Sequence, residues 1–307
     1  LRGSTIYGDN SLDRFGHDVA LSANGNKVII GAPWAPGGAP TTVRNTSGGS
    51  SDLQSTQPRG VSRVFIYDSI SNTWSQMGSD ITGDADGDKC GYAVDFAYMF
   101  SSSTIAVASP YSSSGGYVRI YNYNSGTSSW TQWGGDIVAE SAGELHGYSI
   151  SLSQYQGNNI AIGAPLFSSD PPPSVGEGVV RLYQYDYASK SWNKTTTFKG
   201  YAGGDEFGSS VSFDDFGNNI IIGAPKYDTL TRTDVGLATV FNYDGSSWNQ
   251  MGYIYGELTN DNLGSSVALT TDFTRFAVGA PKSVLSRASM YEYISTPEPE
   301  PSPVPEP

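Results

Sequence analysis

The most regular stretch of the chain, Asp205 to Gly256, alternates short hydrophobic runs with polar turns. Ser210-Val211-Ser212-Phe213 alternates small and large residues, and the turn Asp215-Phe216-Gly217-Asn218 follows it. Ile220-Ile221-Ile222 then rises to Gly223-Ala224-Pro225. Beyond a polar loop, Ala238 to Tyr243, the turn Asp244-Gly245-Ser246-Ser247 and Trp248 to Gly256 complete the unit. Period-two alternation in short runs bounded by Gly, Asn, Asp and Ser predicts four strands in an antiparallel meander.

The unit recurs. Its opening pair stands at Phe15-Gly16, Cys90-Gly91, His146-Gly147, Phe207-Gly208 and Leu263-Gly264. Its second landmark stands at Gly31-Ala32-Pro33, Ala108-Ser109-Pro110, Gly163-Ala164-Pro165, Gly223-Ala224-Pro225 and Gly279-Ala280-Pro281. Five copies of four strands, at a typical spacing of roughly 56 residues, lie near the roughly 40–50 residues of propeller blades. The prediction is all-β: a five-bladed β-propeller over residues 1–294 and a proline-rich tail over 295–307. At these paired motifs the chain resembles the FG-GAP repeat family, the blades of integrin α-subunit heads and of secreted microbial and algal proteins.

Inner strands carry Val19 and Leu21, Val94 and Phe96, Ile150 and Leu152, Val211 and Phe213, Val267 and Leu269 on one face and small or polar residues on the other. Blades covered on both faces need that pattern. Trp74, Trp130, Trp192 and Trp248 open the fourth strands, and one aromatic per blade reads as interblade packing. The fifth copy lacks a fourth strand, whereas Ser4, Thr5, Ile6 and Tyr7 match the end of the fourth copy's last strand. That segment is expected to pair with residues 287–293 and close the ring, in cis or in a neighbouring chain, removing an open edge. The long connections between second and third strands, such as Trp34 to Arg59, share a rim with the blade-to-blade links, which marks that rim as the functional face.

Charge and cysteine content narrow the classes. With 17 basic and 30 acidic residues the net charge is −13, which argues against nucleic acid or an anionic membrane surface as partner. No run approaches the roughly 20 apolar residues of a membrane-spanning helix. The single cysteine, Cys90, replaces a Phe or Leu of other copies and reads as a small buried hydrophobe.

Candidate chemistry is sparse. The resemblance implies Ca²⁺ loops before Gly-Ala-Pro, but the turns here lack three alternating carboxylates, so no cofactor is required by them. The run Asp84-Ala85-Asp86-Gly87-Asp88 reads first as a solvated turn and second as one loop where Asp84, Asp86 and Asp88 could hold Ca²⁺. His146, in the Phe position, reads as a packed histidine, and His17 has no plausible nucleophile beside it. Asp18 and Asp95 are the only inner-strand carboxylates that a glycosidase could use. Asn45 and Asn193 begin N-glycosylation sequons. In the tail, Pro297, Pro299, Pro301, Pro303 and Pro305 enforce an extended polyproline II strand and could carry O-linked sugar once hydroxylated. The resulting expectation is a non-enzymatic extracellular propeller with an adhesive or structural role. It would be secreted or at the cell surface, self-assembling as a filament subunit or binding other extracellular proteins and glycans. A lectin and a glycosidase are the alternatives.

Overall fold

The computed structural model describes residues 2–36, 58–99, 102–155, 157–169, 176–282 and 286–292. Blade 1 consists of β1 (Val19–Leu21), β2 (Lys27–Ala32), β3 (Val61–Asp68) and an outer strand in two pieces, β4 (Thr73–Gln76) and β5 (Ile81–Thr82). Blade 2 repeats this with β6 (Val94–Met99), β7 (Ser102–Ser109), β8 (Tyr117–Asn124), β9 (Ser129–Gln132) and β10 (Ile137–Val138). Blade 3 is β11 (Ser149–Leu152), β12 (Asn159–Ala164), β13 (Val179–Asp186) and β14 (Ser191–Lys199). Blade 4 is β15 (Ser210–Phe213), β16 (Asn219–Ala224), β17 (Leu237–Tyr243) and β18 (Trp248–Tyr255). Blade 5 is β19 (Ser266–Leu269), β20 (Arg275–Ala280) and β21 (Arg287–Glu292). Every ladder between these strands is antiparallel, and the whole is a five-bladed β-propeller, as the repeat predicts.

The core lies between blades. Ile29 and Val64 of blade 1 pack with Val94, Phe96 and Ile105 of blade 2. Val118 and Ile120 pack with Ile150 and Leu152 of blade 3, Val180 and Leu182 with Phe213 and Ile222 of blade 4, and Ile221 and Val240 with Phe276 and Val278 of blade 5. The glycine of Gly-Ala-Pro permits the closest approach: a Cβ on Gly31, Gly163 or Gly223 would sit 2.0 Å from the carbonyl oxygen of Gly91, Gly208 or Gly264 in the next blade. Side chains on the inner strands add clasps. Asp18 accepts the Val94 N–H (2.7 Å), Asp95 the Leu152 N–H (2.7 Å), Ser151 the Phe213 N–H (3.1 Å) and Ser212 the Leu269 N–H (3.1 Å). Cys90 is buried, as its hydrophobic position predicts, and burial pushes its thiol up to about 12.

The expected closure by the N-terminal strand needs correction. Among the described residues, Ser4, Thr5, Ile6 and Tyr7 form no ladder with β21, and blade 5 is a three-stranded sheet. The two residues before it sit on blade 1 instead: the Trp74 indole N–H donates to the Arg2 carbonyl (3.0 Å) and the Gly3 N–H to Asn72 Oδ1 (3.0 Å). No described cluster joins blade 5 to blade 1. Val19 and Leu21 are 55% and 59% exposed, whereas their counterparts Val94 and Phe96 are 4% and 1% exposed. A Cβ on Gly279 would meet only its own Ser266. The tail and Asn45 lie outside the described residues.

Candidate functional site on the blade-link rim

Each blade is entered through the same turn. The N–H of His17, Tyr92, Tyr148, Ser209 and Ser265 donates to the carbonyl three residues back, on Arg14, Lys89, Leu145, Glu206 and Asn262 (2.9–3.2 Å). All five acceptor residues have a left-handed backbone, with φ from 51° to 57°. That conformation costs a side-chain-bearing residue energy, and since every blade shares it, the strain belongs to the repeat. The turn stands at the same point of every blade entry.

From the turns of blades 1 to 3, Arg14, His17, Lys89, Tyr92 and Tyr148 form one cluster with Trp34 and Tyr111, each the residue after the second-strand proline. The His17 ring lies 4.7 Å from Tyr92 and 5.4 Å from Trp34; Tyr92 lies 5.3 Å from Tyr111 and 5.1 Å from Tyr148. The Arg14 guanidinium sits 3.9 Å above Trp34, and the Lys89 ammonium 3.7 Å above Tyr111. Burial, then the Arg14 and Lys89 charges, lower the His17 pKa, so the imidazole is neutral at neutral pH. Burial, then Arg14, lowers the Lys89 pKa as well. The Tyr92 hydroxyl is held protonated, through burial and then hydrogen bonds with Tyr148 and Tyr111. Among the described residues neither Arg14 nor Lys89 has a carboxylate partner, although the chain carries 30 acidic residues. On the blade 4 side of the rim, Lys226 is paired with Asp234 (2.9 Å) and burial raises the Glu206 pKa.

The residues singled out from sequence are placed elsewhere. Asp84 is bound by Arg119 (2.8 Å) and Asp86 by Arg59 (2.8 Å), and the Arg119 hydrogen bond holds the Asp84 carboxyl below its usual range. Asp88 is buried and accepts from the Asp84 and Ala85 N–H groups and the Tyr117 hydroxyl. Asp13, Glu144, Asp205 and Asp261 cap their own blade entries in the same way, so Asp88 is a recurring loop cap. The three carboxylates serve three different partners, and among the described residues no group of three or more His, Cys, Asp or Glu could hold a metal ion. His146 is fully buried beside Arg181, and burial followed by that charge lowers its pKa to about 3, as suits a packed histidine. Asn193 is exposed on β14, with its Oδ1 accepting from Ser191 (3.1 Å). Asp18 and Asp95 spend oxygens on the clasps described above.

The fold brings His17 into a polar, aromatic site drawn from separate copies of the repeat. The signal available was positional: residues one past Phe-Gly and one past Gly-Ala-Pro are His, Tyr, Tyr and Trp, Tyr in the first copies, on the rim already marked by long loops.

No family model matches the chain, and no curated protein matches it in sequence. Solved structures do match in shape. The periplasmic gluconolactonase of Pseudomonas aeruginosa aligns at TM-score 0.54 and 13% identity over 90% of this chain and 70% of that one. A protein provisionally assigned as a 6-phosphogluconolactonase from Bacteroides uniformis aligns at TM-score 0.54 and 9% identity, with the same coverage. At these identities the likeness establishes the propeller fold. The neighbours are propellers with enzyme names, and this corrects the expectation of a non-enzymatic adhesive or filament-forming propeller.

Proposed function

We propose that the chain is a hydrolase of the lactonase type, opening a sugar lactone at the cluster around His17. The observation that carries this reading is the pair of cations, Arg14 and Lys89, without carboxylate partners among the described residues and beside a neutral imidazole. The rings of Trp34 and Tyr92 give the site aromatic walls beside His17. His17 takes a proton from water as that water attacks the lactone carbonyl, and the two cations stabilise the oxyanion that develops. The ring C–O bond then breaks, the departing oxygen recovers the proton from His17, and the carboxylic acid formed releases its remaining proton to solvent, leaving a carboxylate held by Arg14 and Lys89. Aromatic walls and partial desolvation strengthen each of these charge interactions. The periplasmic neighbour supports a location outside the cytoplasm, and the paired blade motifs support descent from an FG-GAP-type repeat.

The test is hydrolysis of glucono-δ-lactone followed by pH-stat against the uncatalysed rate. Lys89→Met and Arg14→Met are expected to lower kcat/KM by about 10²-fold, the size of losing one oxyanion donor. Wild-type protein that adds nothing to the uncatalysed rate across a panel of aldonolactones would overturn the proposal.

A further inference from the structure

Residues 2–9 lie along blade 1 as the outer strand of one blade lies along the next. In blades 1 and 2 the break in that strand seats the following blade's tryptophan. The indole N–H of Trp130 donates to the Met77 carbonyl and that of Trp192 to the Trp133 carbonyl, both at 2.8 Å. A Cβ on the glycine that follows, Gly78 or Gly134, would come to 2.7 or 2.8 Å from the ring. Trp74 sits in the same way on Arg2 and Gly3, at 3.0 and 2.7 Å. Further along, the match holds again: Arg63 binds Asp9 (2.5 Å) as Arg119 binds Asp84 (2.8 Å). The N-terminal stretch therefore holds the place of the outer strand of a blade preceding blade 1. Between these anchors Ser4, Thr5 and Tyr7 are exposed, Tyr7 at 79%, and make no ladder.

A blade that fits there must lack its own outer strand, and blade 5 is built that way, its sheet ending at β21. Both halves of an ordinary junction stand unmade. The Ser149 and Ser210 hydroxyls donate to the Gly208 and Gly264 carbonyls of the following blade, at 2.8 and 2.7 Å. The matching Ser266 hydroxyl has no acceptor among the described residues, and Gly279 opposite it in the ladder meets no second backbone. On blade 1, a Cβ on Gly16 would meet nothing within 4 Å. One on Gly91, Gly208 or Gly264 would meet a carbonyl of the preceding blade at 2.8, 2.7 or 2.3 Å. Val19 and Leu21 are exposed on the same strand. An open sheet edge beside exposed apolar side chains favours association.

We infer that a second copy of this chain supplies each missing half. Blade 5 of one copy packs on blade 1 of the other, whose residues 4–7 become its fourth strand by strand addition. The register follows from blade 1, where Val61 and Ser62 stand opposite Thr82 and Ile81. Tyr7 and Ile6 hold the places of Thr82 and Ile81, and Arg287 faces Ala280 as Val61 faces Ala32. Tyr7 thus comes opposite Arg287, and Ile6 opposite Ala288, of the second copy. Ser266 and Gly279 meet its Gly16 carbonyl. Two copies joined at both ends leave neither half unpaired, so the product is a closed dimer. The inference does not depend on the lactonase reading.

The test is disulfide trapping in the whole chain, where the native Cys90 is buried and takes no part. Ile6→Cys and Ala288→Cys chains, mixed under mild oxidation, are expected to form a covalent heterodimer that neither forms alone. Wild type should sediment at twice the mass of the chain at micromolar concentration. Gly279→Ala places a Cβ where the incoming Gly16 carbonyl must lie, and should weaken association at least about tenfold while the dilute chain stays folded. A chain carrying both new cysteines that closes as a disulfide-bonded monomer would show blade 5 meeting its own blade 1, and would overturn the inference. Wild type that sediments as a monomer, or a mixture that gives no heterodimer, would overturn it as well.

Discussion

Asp95 accepts two backbone N–H groups, from Phe96 and from Leu152 of the next blade, yet burial outweighs these bonds and pushes its pKa up to about 7. Its pKa in the unfolded chain is near the ordinary 3.8. Below that value both states are protonated. As pH rises toward 7 the unfolded chain ionises first, so this group's contribution to stability falls through the window between the two values. Asp18, whose own pKa is raised chiefly by burial, adds like charge nearby. Asp95→Asn keeps an oxygen for the Leu152 N–H and cannot ionise. Wild type should therefore lose melting temperature relative to Asp95→Asn as pH is raised from 4 to 8; parallel profiles would contradict this. At this scale the sequence shows only part of the arrangement. Asp95 is legible as an inner-strand carboxylate, but its bond to Leu152 depends on how one blade sits against the next. Tyr92, Tyr148 and Trp34 look like ordinary turn aromatics until three blades bring them together.

Among the elements, the junction between blades is the unit that governs stability. Gly163 and Gly279 are matched in all but one respect: a Cβ on either would meet its own inner-strand serine, Ser149 at 2.4 Å or Ser266 at 2.3 Å, but only on Gly163 would it also meet the next blade's backbone, at 2.0 Å. A serine side chain can rotate away and a packed backbone cannot. Gly163→Ala should destabilise by about 3 kcal/mol, the upper end for overpacking, and Gly279→Ala by well under half of that in denaturant unfolding. Equal losses would mean that blade 5 meets blade 1 as the other blades meet one another. Strand order and ladder register were legible because Phe-Gly and Gly-Ala-Pro mark both ends of the inner hairpin in each copy. The fate of Ser4 to Tyr7 was not, since the same pattern suits a partner in blade 5 and a stretch anchored on blade 1 through Arg2 and Gly3.

For the molecule as a whole, sequence pattern established the propeller and left its use open, because the proposed site draws on side chains from three turns far apart in the chain. Arg119 and Arg59 already neutralise Asp84 and Asp86, so dialysis against EDTA should leave the melting temperature unchanged. A large fall that Asp84→Ala with Asp86→Ala abolished would restore that loop as a metal site. If a neutral His17 activates water on the blade-link rim, the pH dependence of kcat/KM for glucono-δ-lactone must change between wild type and His17→Gln. Wild-type activity should rise to a plateau through a pKa below the ordinary histidine value of 6.5, and His17→Gln should lose at least about 10²-fold along with that pH limb. A His17→Gln enzyme with undiminished kcat/KM and the same pH profile would contradict it.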